Sequence, residues 1–254
     1  MRSVIPFACA GETLFATLDG APGTTGLLIV SGGNEIRVGA HRGMAQLAAA
    51  VATAGHPVFR YDRRGVGDSG GVNDGFLSAE DDLIAAATAF RSAQPQIETL
   101  VGFGNCDGAT TLALFGRAAG IDRVLLANPW VVEDADDGLP PQAAIRARYA
   151  ARLRDPATWW RLVSGGINIR KAINGLRKIA APSTEAGLAR RVISAIGDWG
   201  GDARVLLAEG DATAIAFHAA APAVAAEMVA TASHSFARDG DQAALLAAVL
   251  RVMR

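Results

Sequence analysis

The run Thr99-Leu100-Val101-Gly102-Phe103-Gly104-Asn105-Cys106-Asp107-Gly108-Ala109 changes character at its middle. As far as Phe103 it is a short β-rich apolar segment. From Asp107 to Ala119 small and apolar residues recur at helical spacing. The junction reads G-x-C-x-G. A strand that turns sharply into a helix needs glycine two positions before and after the turn, so that the two backbones can approach. The central side chain then projects above the sheet at the amino end of the helix. A helix N-terminus and a neighbouring imidazole both favour a thiolate, so the place suits an activated sulfur. Cys106 is therefore the candidate nucleophile. A free cysteine is more often a small buried hydrophobe, and Cys9, inside a predicted strand without such a frame, is read that way.

Outward from this junction, short β-rich runs alternate with longer helical ones. Strands are expected over 4–9, 13–18, 26–30, 57–61, 99–103, 123–127, 204–208 and 226–231, and helices over 40–54, 78–92, 107–119 and 241–253. The alternation predicts an α/β fold, a mostly parallel eight-stranded sheet with helices on both faces. Only Ala10-Gly11-Glu12 separates the first two strands, which makes the leading edge antiparallel. The rhythm breaks between about Asn128 and Asp202, where tryptophans and arginines gather without a clear strand. A single domain over 1–254 with a helical cap inserted at 129–201 accounts for this.

A nucleophile needs a base and an orienting acid. With such an elbow the chain order is nucleophile, acid, base, the histidine following the last strand. Of His41, His56, His218 and His234, only His234 lies between the last strand and the terminal helix. Asp211, in the turn after strand 204–208, is placed to orient it. Glu209 is a closer-in neighbour, and Glu133 or Asp134, after the preceding strand, is the alternative position for the acid. The oxyanion hole would combine the amide of Asp107 with one from Ser31-Gly32-Gly33-Asn34, either Gly33 or Asn34. In the following loop Arg37 and His41 could hold an anionic substrate or simply pair with local acids. Trp130 and Trp159 are candidate substrate contacts from the cap. Its many arginines form either a solvated face or an anion site.

Bulk properties narrow the functional classes. The chain has 254 residues, 50% of them hydrophobic and 19% charged, with a net charge of −1. Such a balance gives no global field to attract nucleic acid or an anionic membrane. Two cysteines are too few for a secreted disulfide scaffold, so a cytoplasmic setting is expected. The apolar start is short, broken by Pro6 and followed by Glu12, and reads as a strand rather than a signal peptide. No run reaches the length of a membrane span. No Walker or dinucleotide motif and no Cys/His cluster occurs, so neither a metal nor an organic cofactor is expected.

The elbow, the segment Asp62-Arg63-Arg64-Gly65-Val66-Gly67-Asp68-Ser69 and the order Cys106, Asp211, His234 together resemble the α/β-hydrolase superfamily. In that superfamily the Asp62–Ser69 segment braces loops and is not catalytic. Three stretches taken together are similar to the exosortase-A-system-associated hydrolases of the first type. They are 33–42, Gly104-Asn105-Cys106-Asp107-Gly108, and Gly210-Asp211-Ala212-Thr213-Ala214 with Phe217. That resemblance implies a bacterial cytoplasmic protein found beside exopolysaccharide genes. Cysteine at the elbow also resembles the dienelactone hydrolases, although the long cap is not theirs. The expected activity is hydrolysis of a small ester or thioester through an acyl-cysteine, by a monomer or homodimer. An acyltransferase using the same intermediate and a non-catalytic binding protein are the alternatives.

Overall fold

The computed structural model describes residues 1–132 and 186–254. Eight strands form one sheet: β1 (Arg2–Cys9), β2 (Glu12–Asp19), β3 (Thr25–Val30), β4 (Val58–Tyr61), β5 (Thr99–Asn105), β6 (Arg123–Ala127), β7 (Ala203–Ala208) and β8 (Ala226–Val229). Their spatial order is β1-β2-β4-β3-β5-β6-β7-β8. β1 pairs antiparallel with β2, and β2 antiparallel with β4; every later pairing is parallel. The described helices are α1 (Gly43–Thr53), α2 (Glu80–Ala93), α3 (Asp107–Phe115), α4 (Ala186–Trp199), α5 (Ala212–Ala220) and α6 (Asp241–Val252).

The central strands are apolar without interruption because both their faces are covered. Successive residues of β3 enter different cores. Leu28 and Val30 pack with Phe59, Leu112 and Trp199, whereas Leu27 and Ile29 pack with Met44, Val51 and Val249. β5 and β7 divide likewise, Leu100 and Leu207 to the first face, Val101 and Leu206 to the second. α2, α3 and α4 therefore cover one side and α1 and α6 the other.

Two local features depart from the sequence reading. The helix expected over 40–54 begins only at Gly43. His41 and Arg42 have φ of 52° and 62°, a left-handed conformation that no α-helix continues through. At the other end of the chain order, α4 falls inside the stretch 129–201 expected to be cap. Its Leu188, Val192, Ile196 and Trp199 are buried in the core against the sheet, and Trp199 donates from its indole nitrogen to Ala113 O at 3.0 Å. This helix belongs to the layer covering the sheet; the remaining expected cap, at 133–185, lies outside the described residues. Among the described residues, no helix is long and apolar enough to cross a membrane.

β3 has β4 on one side and β5 on the other, so the connections leaving its end and that of β5 run in opposite directions. The crevice at such a reversal is where open α/β sheets present their sites. Gly32 and Gly33 follow β3, and Cys106 follows β5.

Candidate active site

Cys106 sits at φ 58°, ψ −127°, outside any favoured region for a side-chain-bearing residue. The surrounding glycines are what permit it. A Cβ on Gly104 would lie 2.5 Å from the Gly108 carbonyl carbon, and one on Gly108 would lie 2.4 Å from Val30 O. Strand, helix and the end of β3 thus meet backbone to backbone. The turn is held by Cys106 N donating to Ala127 O at 3.0 Å, and by Ala109 N donating to Cys106 O at 3.1 Å. The thiol is left partly exposed at the mouth of the crevice, whereas Cys9 is buried and donates to Asp82. Burial first, then the Asp82 carboxylate, pushes the Cys9 thiol up to about 11, which keeps it protonated and inert.

His234 reaches this point from the loop after β8. Its Nδ1 lies 3.0 Å from Asp211 Oδ1, and the Cys106 side chain is near enough to act on the ring's titration. Burial disfavours the imidazolium, but the hydrogen bonds and negative charges of Asp211 and Cys106 outweigh it. Together they raise His234 from its usual 6.5 to about 10. Asp211 is buried, and burial pushes its carboxyl up. The His234 hydrogen bond and charge, with the amides of Ala214 and Thr213, nevertheless hold it below its ordinary value. Its Oδ2 accepts from Thr213 N at 3.1 Å and Ala214 N at 3.0 Å, so the same carboxylate caps α5. The alternative acids Glu133 and Asp134 lie outside the described residues.

The oxyanion loop is unlike the simple expectation. Gly32 abuts the nucleophile, since a Cβ there would stand 3.2 Å from Cys106 Cβ. Gly33 N–H is not vacant; it donates to Asp107 Oδ1 at 2.6 Å. Gly33 O accepts from Arg63 Nη2, and that nitrogen lies 3.7 Å from Asp107 Oδ2. Asn34 turns outward, its side-chain oxygen accepting from Asn73 Nδ2 at 2.7 Å.

The remaining expected contacts divide. Arg37 donates to Asp62 and to Asp68 Oδ2 at 2.8 Å, and its Nε to Thr17 at 3.1 Å. All three guanidinium nitrogens are engaged by the protein, so bracing replaces the substrate-binding role expected for Arg37. Asp62 also receives Arg37 N, while Ser69 Oγ donates to Asp62 O at 2.8 Å, which makes this segment the brace its sequence suggested. His41 is exposed in a short turn before α1. Trp130 lies beside the elbow: its backbone N–H donates to Cys106 O at 3.3 Å, and the residue lines a cavity of about 350 Å3 with Phe76, Leu77, Val132 and Leu188, flanked by Asp107 and Arg191. Trp159 lies outside the described residues.

One group was missed in the sequence. Asn128, fully buried at φ 43°, accepts from Ala208 N at 2.9 Å through Oδ1. Its Nδ2 donates to Asn105 Oδ1 at 3.0 Å and to His234 O at 3.2 Å. Asn105 Nδ2 donates to the same His234 carbonyl at 3.1 Å. The chain preceding Cys106, the strand leading to Asp211 and the His234 loop are thereby tied to one another. A polar residue directly ending the apolar run of β6 was the available signal.

The sequence matches no protein-family profile and none of the curated proteins. Solved structures are more informative. The chain is similar to the α/β hydrolase GrgF from Penicillium sp. sh18, with a TM-score of 0.66 and 15% identity, covering 100% of this chain and 98% of that one. It is similar to the Pyrococcus furiosus esterase Pf2001 with a TM-score of 0.63 and 14% identity, covering 100% and 89%. A third likeness is to XC6422 from Xanthomonas campestris, described as an α/β serine hydrolase without a lid. There the TM-score is 0.60 and the identity 16%, over 100% and 94%. The chain has the α/β-hydrolase fold.

Proposed function

We propose that this protein is a carboxylic ester or thioester hydrolase that works through an acyl-cysteine on Cys106. The observation that carries the reading is Cys106 in its strained turn with His234, held by Asp211 at 3.0 Å, as its neighbour. Because His234 holds its proton up to about pH 10, it stands as an imidazolium at neutral pH. An imidazolium cannot take a proton from a thiol, so on this reading the pair reacts as thiolate and imidazolium rather than as a thiol awaiting a base.

In the reaction the thiolate attacks the substrate carbonyl and the π pair moves onto oxygen. The amide of Asp107, together with that of Gly33 once the Asp107 carboxylate has left it, would receive that charge. Collapse expels the alcohol or thiol, which takes the His234 proton. The neutral imidazole then accepts a proton from water as the water attacks the thioester and frees Cys106. The cavity beside Trp130, mainly apolar, suits the acyl portion of a small substrate. Esterase chemistry in the similar Pyrococcus furiosus protein supports the bond type. The resemblance of the elbow and the Gly210–Ala214 stretch to exosortase-associated hydrolases supports a bacterial, cytoplasmic role near exopolysaccharide synthesis.

Mass spectrometry of protein quenched during turnover of p-nitrophenyl acetate tests this. An acetyl group should appear on the Cys106 peptide and be absent from Cys106→Ala. Acetylation elsewhere, or equal turnover by Cys106→Ala, would remove Cys106 from the mechanism.

A further inference from the structure

Resting on Cys106 as the nucleophile, we propose that the Asp107 carboxylate is a gate on the oxyanion hole and that Arg63 is the group to which it retires. Asp107 contributes twice to this corner of the molecule. Its amide is the first oxyanion donor by position, while its side chain occupies the second, Oδ1 accepting from Gly33 N at 2.6 Å. That oxygen and Cys106 Cβ both crowd the same face of Gly32, 2.9 Å and 3.2 Å from where a Cβ there would stand, so the carboxylate holds the Gly33 N–H close by the nucleophile. A negatively charged oxygen is the chemical image of the oxyanion that forms on attack. No substrate oxygen can take the Gly33 N–H until this one leaves.

The structure also supplies its destination. The Arg63 side chain is only 5% exposed, and among the described residues its Nη1 has no hydrogen-bond partner. Its Nη2 donates to Gly33 O and stands 3.7 Å from Asp107 Oδ2, too long for a hydrogen bond. A rotation of Asp107 toward Arg63 closes the 3.7 Å gap between Oδ2 and Nη2 to a charge-assisted hydrogen bond beside a buried guanidinium that still has donor capacity to spare. The rotation exchanges one charge-assisted hydrogen bond for another and frees Gly33 N–H, leaving the Gly33 carbonyl anchored by the same arginine. Asp107 is thus a residue that sets how readily any carbonyl engages Cys106. It penalises addition to carbonyl carbon, while alkylation of the sulfur, which creates no oxyanion, escapes the penalty.

Butanal separates these effects without requiring turnover. The Cys106 thiolate adds to the aldehyde carbon, the carbonyl π pair moves to oxygen, and that oxygen takes the His234 proton to give a thiohemiacetal. Its affinity is read as protection of Cys106 from iodoacetamide in wild type, Asp107→Ser and Asp107→Asn. One oxyanion donor is worth about 100-fold or more in rate. Asp107→Ser should therefore bind butanal at least ~10-fold tighter, a change exceeding any change in its alkylation rate without aldehyde. Asp107→Asn, which keeps the shape and loses the charge, should fall between. A reactive Cys106 whose butanal affinity is unchanged or weaker in Asp107→Ser overturns the gate alone. A Cys106 that iodoacetamide leaves untouched in every variant overturns the nucleophile reading, and the gate with it.

Discussion

Replacing Asp211 by asparagine separates two duties of one side chain. Oδ2 caps α5 through Thr213 N and Ala214 N, and Oδ1 holds His234 Nδ1 at 3.0 Å. Asparagine caps a helix about as well as aspartate, so Asp211→Asn should fold with near wild-type stability. What it loses is the charge-assisted hydrogen bond to the imidazolium, worth about 1.5–3 kcal/mol. At 1.36 kcal/mol per tenfold, the thiolate–imidazolium pair should become about 10- to 100-fold less populated. The assay is iodoacetamide alkylation of Cys106 at pH 7, followed by mass spectrometry, with thermal unfolding in parallel. Asp211→Ala should lose the same reactivity and also about 0.5–2 kcal/mol of stability, because the cap goes with it. If Asp211→Asn alkylates within about twofold of wild type, Asp211 does not support the pair and this reasoning is wrong.

Other consequences are as concrete. Gly108→Ala would set a Cβ 2.4 Å from Val30 O, a backbone atom in the central strand. It should cost about 1–3 kcal/mol in urea unfolding; an unchanged midpoint would contradict the close approach. Arg37→Ala should act on stability before binding. It strips the partner from Asp62, whose side chain is fully buried, and breaking such a pair costs about 3–5 kcal/mol. Loss of ester affinity at full stability would restore Arg37 to the binding site. Because folding raises His234 from 6.5 to about 10, its contribution to stability is complete below about pH 6.5 and lost as pH rises through 10. The gap in unfolding temperature between wild type and His234→Gln should close over that window, and a gap that widens there would refute the assignment. Asn128→Ala, which frees His234 O from one of its two amide donors, should lower the alkylation rate more than a surface asparagine change does. Wild-type rates would deny Asn128 a positioning role.

The fold was legible because its physics is repetitive. Apolar strands such as β3 and β5, buried on both faces, alternate with helices, and the glycines at 104 and 108 mark where a strand and a helix must touch. Cys106, Asp211 and His234 could be nominated as candidates because each follows a strand end, and the sheet brings strand ends together. Side-chain allegiance was not. Arg37 looked available in the sequence because Asp62 and Asp68 approach it only through the folded brace. Asp107 was read for its amide, and nothing in the pattern G-x-C-x-G says that its carboxylate turns back onto Gly33. Asn128 belongs to no motif; its value comes from standing where β5, β7 and the His234 loop converge. The extent of the cap was overdrawn because α4 lacks a neighbouring strand signal, although Leu188, Val192, Ile196 and Trp199 at helical spacing mark a face for burial.

The most direct measurement is the rate of iodoacetamide alkylation of Cys106 across pH in wild type, His234→Ala and Cys106→Ser, with the alkylated residue mapped. An activated pair predicts rapid reaction of Cys106 well below pH 8.5, the ordinary thiol value. It also predicts that this low-pH reactivity disappears in His234→Ala and that no label reaches the position in Cys106→Ser. A Cys106 that reacts only as pH climbs past that ordinary value, with the same profile in His234→Ala, would contradict the account.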